Sequence, residues 1–299
     1  DDVGYQAVRK LRDLARTDDE RPWFMTVSFT HPHDPYVTRQ EFWDLYDHDA
    51  VPAPSVQTVA HPDPHSARLA KVISADTTAA TASQIRNARH AYLANTSYVD
   101  HFIGQIMESL QRSGLDDNTV VLFAADHGDM LGERGLWYKM NFFEPSARIP
   151  LVLWGPDRFQ PGQVATATSL LDIAPTLLDL AGIDMPPEMH GASLLTLLGG
   201  DDPGRTVLGE YLGEGAIAPI FMIRRGDLKY IWSEPDPPQL YTLAEDPEEL
   251  NNLAGSSPQE AALAKEVAKL WDAEAIEHEV RASQRARALV DTALRKGRH

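Results

Sequence analysis

"VVLFAADHGDMLGERGLWYKMNFFEPSARIPLVLWGP", residues 120–156, sets two short apolar runs on either side of a polar loop. Residues 119–125 and 149–156 are rich in Val, Leu and aromatic side chains and are bounded by turn formers, which reads as two buried strands. The loop between them opens with Asp126 and His127 and continues through Lys139 and Glu144. A carboxylate, an imidazole and an ammonium at the mouth of a core are either incidental loop polarity or a constellation that converges on an anion and a metal.

The flanking chain alternates helix and strand signals. Ala7, Val8, Leu11 and Leu14 have helical spacing within 4–16, and residues 83–114 form a long amphipathic pattern ending on Gly114 at the expected C′ position. Residues 22–30, "PWFMTVSFT", read as a strand that runs into the proline-broken loop "HPHDPY". Residues 48–82 show no clear period and read as an irregular excursion or lid. Residues 170–183 read as a helix with a Gly stop. This alternation predicts an α/β fold with a mostly parallel sheet flanked by helices. After about residue 203 short strands around turn signals predict a small antiparallel sheet, and 258–295 return to helix. The expected units are 1–202, 203–257 and 258–299.

Composition narrows the possibilities. A formal charge of −17 repels a phosphate backbone and argues against nucleic acid as a general partner. No run of 18 apolar residues suggests a membrane span. The absence of cysteine removes disulfides, thiolate metal sites and cysteine-derived nucleophiles from these 299 residues. The location expected from these features is cytoplasmic, although the chain starts at Asp1 and offers no start from which to read a leader.

In open parallel α/β sheets ligands bind at the carboxyl ends of strands. Asp126 and His127 end one strand and His31 ends another. A hard divalent cation favours such oxygen-rich ligation with a nitrogen tolerated, and Lys139 suits the oxyanion of a phosphate or sulfate ester. His33, His61 and His65 in "HPHDP" and "HPDPH" also evoke zinc, but proline-broken loops rarely hold tetrahedral geometry. They read instead as solvated loop polarity, with His33 and Asp34 shaping the mouth.

The longer pattern, "ADHGDMLGERGLWYKMNFFEPSARIPLVLWGP", closely resembles the sulfatase branch of the alkaline-phosphatase-like hydrolases. "SYVDHFIGQIMESLQRSGLDDNTVVLFAAD", "LLDIAPTLLDLAGIDMP" and "QLYTLAEDPEELNNLA" resemble neighbouring parts of that fold in the same order. "HPHDPYVTRQEFWDLYDHD" and the tail from Trp271 look like the choline-sulfatase branch. The resemblance implies that Asp126 and His127 ligate a divalent metal (Ca2+ or Mn2+, with Mg2+ possible) and that Lys139 and His31 contact the ester and assist its leaving group. It implies choline-O-sulfate as substrate, with Trp137, Tyr211 and Glu214 as candidates for a quaternary-ammonium pocket. It also implies homo-oligomer contacts through the basic tail of Arg281, Arg285, Arg287, Arg295, Lys296 and Arg298.

The family's formylglycine arises from a Cys-x-Pro-Ser-Arg motif, and neither "APSV" nor "EPSAR" supplies one. An acidic pair that would complete the metal shell is also missing, since the "DD" at residues 1 and 2 begins no strand. The expectation is therefore the C-terminal portion of a choline-sulfatase-like enzyme, inactive alone, with formylglycine in an N-terminal part. Two other readings stay open: a phosphonate monoester or phosphodiester hydrolase of the same superfamily, and a non-catalytic module that binds a protein partner.

Overall fold

A computed structural model describes residues 2–156, 158–202 and 204–296; Arg298 of the expected basic tail lies outside them. The first layer is helical. Helix α1 (Asp2–Leu14) buries Gly4, Ala7 and Leu11 along one stripe. The short α2 (Gln40–Trp43) and α3 (Pro64–Val72) follow, then α4 (Ala82–Arg112). Thr81 and Gln84 close a capping box at the start of α4, satisfying backbone donors that the first turn leaves free. Gly114, at φ +65°, lies in the left-handed region just past its end, where glycine carries no Cβ penalty.

On α4, Ala91, Ala94, Tyr98 and Phe102 form the buried face. Phe42 of α2 and Phe29 pack against it. Helix α1 approaches so closely that a Cβ on Gly4 would sit 2.4 Å from the Phe102 ring.

Strand β1 (Val121–Ala124) pairs with β2 (Leu151–Trp154), Val121 opposite Trp154 and Ala124 opposite Leu151. This pair is antiparallel, and among the described residues no parallel pair occurs, so strand direction departs from the expected parallel sheet while the α/β class holds. Parallel neighbours need a crossover, usually helical. The segment joining β1 to β2 holds only a 3-10 turn and the four-residue α5 (Glu144–Ala147). Residues 22–30 form neither helix nor ladder among the described residues, although their side chains alternate between half-buried and exposed over 25–30 as in a strand. Phe24 is 74% exposed.

Helix α6 (Ile173–Leu180) precedes a four-stranded antiparallel meander: β3 (Thr206–Tyr211), β4 (Ile220–Arg225), β5 (Leu228–Ser233) and β6 (Asp236–Thr242). Gly226, at φ +53°, makes the tight turn between β4 and β5. Both faces of this sheet are covered. Phe221, Ile223, Tyr230 and Leu240 meet Leu263 and Val267 of α7 (Glu260–Leu270). Ile220, Met222, Ile231 and Tyr241 meet Leu69 of α3 and Met130, Leu136 and Phe143 of the β1–β2 loop. Double coverage explains why β4 reads as an unbroken apolar run rather than an alternating one.

Trp271 is extended (φ −130°, ψ 133°) and separates α7 from α8 (Ala273–Lys296). Its ring stacks on Phe221 with centroids 4.6 Å apart. Helix α8 buries no residue. No described helix is long and apolar enough to cross a membrane.

Candidate active site

The site is built on the loop from β1 to β2. His127 N donates to Asp126 Oδ1 at 3.0 Å, which folds the carboxylate back over its own turn. His127 Nδ1 meets the Gly128 carbonyl at 2.7 Å. A carbonyl only accepts, so Nδ1 carries the proton and Nε2 is left as a free donor atom for a ligand. Nε2 lies 3.7 Å from Asp126 Oδ2, and the Asp126 side chain is 85% exposed. Gly128 is pressed against the short helix α5: a Cβ there would fall 2.1 Å from the Pro145 carbonyl oxygen.

Asp129 organises the next stretch. Its Oδ1 accepts from Leu131 N at 2.9 Å and Tyr138 N at 3.1 Å, and its Oδ2 accepts the Tyr36 hydroxyl at 2.8 Å. Burial, reinforced by the Asp129 carboxylate, pushes the Tyr36 phenol well above its ordinary range, so it stays a donor. Tyr138 and Met140 both have left-handed backbones, at φ +66° and +81°. Each such residue costs on the order of 1–3 kcal/mol and survives only where its surroundings hold it. Lys139 lies between them.

Lys139 Nζ reaches His33 Nε2 at 2.8 Å. The ammonium has only donors, so His33 Nε2 accepts and its Nδ1 carries a proton toward the Asp34 carbonyl at 2.9 Å and Asp34 Oδ1 at 3.0 Å. The His33 and His127 rings meet edge to face, with centroids 5.9 Å apart. Asp126, His127, Lys139, His33 and Asp34 thus form one continuous cluster at the loop mouth.

His31, expected with Lys139 to contact the ester, has its ring against Tyr98 of α4 with centroids 4.8 Å apart. The chain bends at Pro32 and Pro35 and turns back through His33 N to the Thr30 carbonyl, which sends His31 and His33 to different neighbours. The Lys139–His33 contact was not anticipated, because two histidines flank one proline and the strand-end argument favours the first; the sequence placed His33 only at the mouth. Asp129 and Tyr36 were missed too; their only signal is a carboxylate three residues beyond Asp126.

The three ammonium-pocket candidates separate into two places. The Tyr211 hydroxyl donates to Glu214 Oε2 at 3.2 Å, and burial followed by the Glu214 charge raises that phenol well above its ordinary range. Trp137 instead walls a cavity of about 310 Å³ with Ala53, Pro54 and Ile85, its ring 6.1 Å from Tyr36. His65 is no solvated loop residue either. Asp63 caps α3 by accepting from Ser66 N, with Pro64 in the first turn, and this buries His65 inside a helix where the sequence suggested irregular chain.

The loop is anchored from the C-terminal sheet. Lys229 on β5, with a side chain 2% exposed, contacts Glu249 Oε1 at 2.7 Å and Glu144 Oε1 at 2.6 Å and donates to the Phe142 carbonyl at 2.7 Å. Burial pushes the Glu249 carboxyl up, and the neighbouring Lys229 ammonium pulls it back down. Arg134 donates to the carbonyls of Glu248 and Glu249 and lies over the Phe143 ring at 4.0 Å.

Sulfatases use a divalent metal and a formylglycine. Among the described residues no group of three or more His, Cys, Asp or Glu converges as a metal cage. Asp126 and His127 provide two donors where a hard cation takes six or more, so these residues do not hold such an ion by themselves and no step is derived through one. The chain contains no cysteine from which a formylglycine is made.

The sulfatase family model matches residues 5–183, and the model for the C-terminal region of N-sulphoglucosamine sulphohydrolase matches 132–275. The chain is 44% identical to a choline-sulfatase of Rhizobium meliloti (strain 1021) over 99% of its own length and 60% of that protein's. It is 31% identical to an arylsulfatase of Clostridium perfringens, covering 81% of this chain and 51% of the relative. In structure it is similar to the phosphonate monoester hydrolase of Agrobacterium radiobacter, with a TM-score of 0.72 and 27% identity over 92% of this chain and 60% of that one. The chain thus spans between half and two thirds of the length of these three proteins, and it belongs to the sulfatase family.

Proposed function

We propose that these residues form the oxyanion and leaving-group side of a site that hydrolyses choline-O-sulfate. The observation that carries this reading is the 2.8 Å contact between Lys139 and His33 beside Asp126 and His127, in a chain 44% identical to a choline-sulfatase. The Lys139 ammonium faces the ester's sulfate oxygens and stabilises the charge that grows on them. His33 Nε2, the acceptor from Lys139 in the resting site, takes up a proton from solvent and passes it to the departing choline oxygen, while Asp34 at Nδ1 stabilises the doubly protonated ring in between. Asp126 and His127 Nε2 would supply two of the donors to a divalent metal if its remaining ligands came from elsewhere, and such a metal would polarise the ester. Glu214 and the Tyr211 ring offer a carboxylate and an aromatic face of the kind that holds a trimethylammonium group.

The test is a chimera in which this chain replaces the matching residues of the Rhizobium meliloti enzyme. It should hydrolyse choline-O-sulfate with a higher kcat/KM than an aryl sulfate or a phosphonate monoester, while the 299 residues alone release no sulfate at a comparable rate. A preference for the phosphonate would favour the second reading, which rests on the structural likeness to the Agrobacterium radiobacter hydrolase. Helix α8, with Leu289, Val290 and Leu294 exposed on one side, is proposed as a contact between copies of the chain.

A further inference from the structure

Lys139 is fixed by what holds the left-handed residues on either side of it. On the Tyr138 side the holder is Asp129, which accepts Tyr138 N. On the Met140 side it is His65 of α3, whose Nε2 meets the Met140 carbonyl at 2.7 Å across 75 residues of chain. The carbonyl accepts, so Nε2 carries the proton and Nδ1 is a bare acceptor. That Nδ1 is buried and has no hydrogen-bond partner among the described residues. The residue is only 7% exposed, and the Tyr211 ring lies 5.7 Å from the imidazole.

A buried imidazole with one orphaned nitrogen is an expensive way to fill space, since an apolar side chain of the same size carries no such cost. What the imidazole supplies that an apolar group cannot is the hydrogen bond to Met140. We propose that His65 is a positioning residue: through the Met140 carbonyl it fixes the peptide that aims Lys139 Nζ at His33. The proposal deepens the reading of Lys139 and His33 as the sulfate-facing pair and rests on it. Without the bond, the Met140 peptide is free to leave its left-handed conformation, and the Lys139 side chain swings with it. Lys229, two residues further on at the Phe142 carbonyl, holds the loop but not that peptide.

The test uses the 299-residue chain with 15N-labelled histidine, as wild type, His65→Phe and His65→Gln. Phe keeps the ring volume and cannot donate; Gln restores a donor. Three quantities are read: the tautomer of His65 in the wild type, the Nε2 shift of His33, and the dissociation constant for inorganic sulfate. The expected result is an Nε2–H tautomer for His65. The hydrogen-bonded His33 signal should be lost in His65→Phe and regained in His65→Gln. Sulfate should bind about threefold to tenfold more weakly in the Phe variant, the scale of one lost hydrogen bond, and regain its affinity in the Gln variant.

An Nδ1–H tautomer in the wild type overturns the proposal even if neither variant folds. An unchanged His33 signal in a folded His65→Phe overturns it too. A wild type that binds no sulfate, with a His33 signal that still follows residue 65, rejects the sulfate-facing reading and leaves the positioning role standing.

Discussion

The sheets β1–β2 and β3–β6 start from similar apolar runs and meet different surroundings. In β3–β6 each face is covered, by α7 on one side and by α3 with the site loop on the other. In β1–β2 the ladder is two strands wide, and Phe123 and Val152, which pair across it, remain exposed. The loop joining β1 to β2 touches both environments. Its Asp126–His127 end continues from β1, while its Lys139 end is tied to the closed core through His65 and Lys229. The Asp126–His127 end therefore stands on sparse packing and the Lys139 end on dense packing. Changes in the C-terminal sheet should reach Lys139 more readily than they reach Asp126.

The largest expected effect comes from Lys229→Met. It leaves the Glu249 and Glu144 carboxylates without their buried cation and should destabilise the chain by about 3–5 kcal/mol, measured by urea unfolding. The loss should depend on pH. With Lys229 gone, only the hydrogen bond from Glu144 N still opposes the burial that raises Glu249, so its folded-state pKa moves further above the unfolded value. Between those two values the native state binds more protons than the unfolded state, and stability rises as pH falls. The deficit of the variant should shrink from pH 7 toward pH 5; a deficit independent of pH would mean that Glu249 does not carry the charge.

The contrast between the sheets can be read directly from a matched pair. Phe221→Ala, at a position with no exposure between two layers, should cost about 3–5 kcal/mol. Phe123→Ala, on the open sheet, should cost less than about 1 kcal/mol. Equal losses would break the comparison, because they would show that the β1–β2 face is covered in solution. The smallest effect is expected from Leu289→Ser on α8, which should change stability by no more than about 0.5 kcal/mol. If α8 joins copies of the chain, the same variant lowers the apparent mass in size-exclusion chromatography.

Local signals carried much of the fold. Helix α4 was legible from its periodicity and Gly114, and the C-terminal meander from turn residues between short apolar runs. Strand direction was not legible, because apolar runs such as 119–125 and 149–156 read alike in parallel and antiparallel ladders. Helix α3 was missed because its apolar stripe is short, although Asp63 followed by Pro64 is a start signal. In the site, Asp126, His127 and Lys139 stand on one loop as the motif suggested. The choice between His31 and His33 depends on a turn of the chain that spacing does not encode. Nor could spacing link His65 to Met140, since that contact exists only once α3 packs beneath the loop.

The central claim is that Lys139 and His33 together face the sulfate. It is tested most directly by titrating inorganic sulfate into the 299-residue chain and following the histidine ring signals by NMR, in the wild type and in Lys139→Ala, His33→Ala and His31→Ala. The account predicts saturable shifts at His33 in the wild type and in His31→Ala. Sulfate affinity should fall at least about tenfold in Lys139→Ala and His33→Ala, the scale of a lost charge-assisted contact. Binding that survives both of those substitutions and disappears with His31→Ala would contradict it.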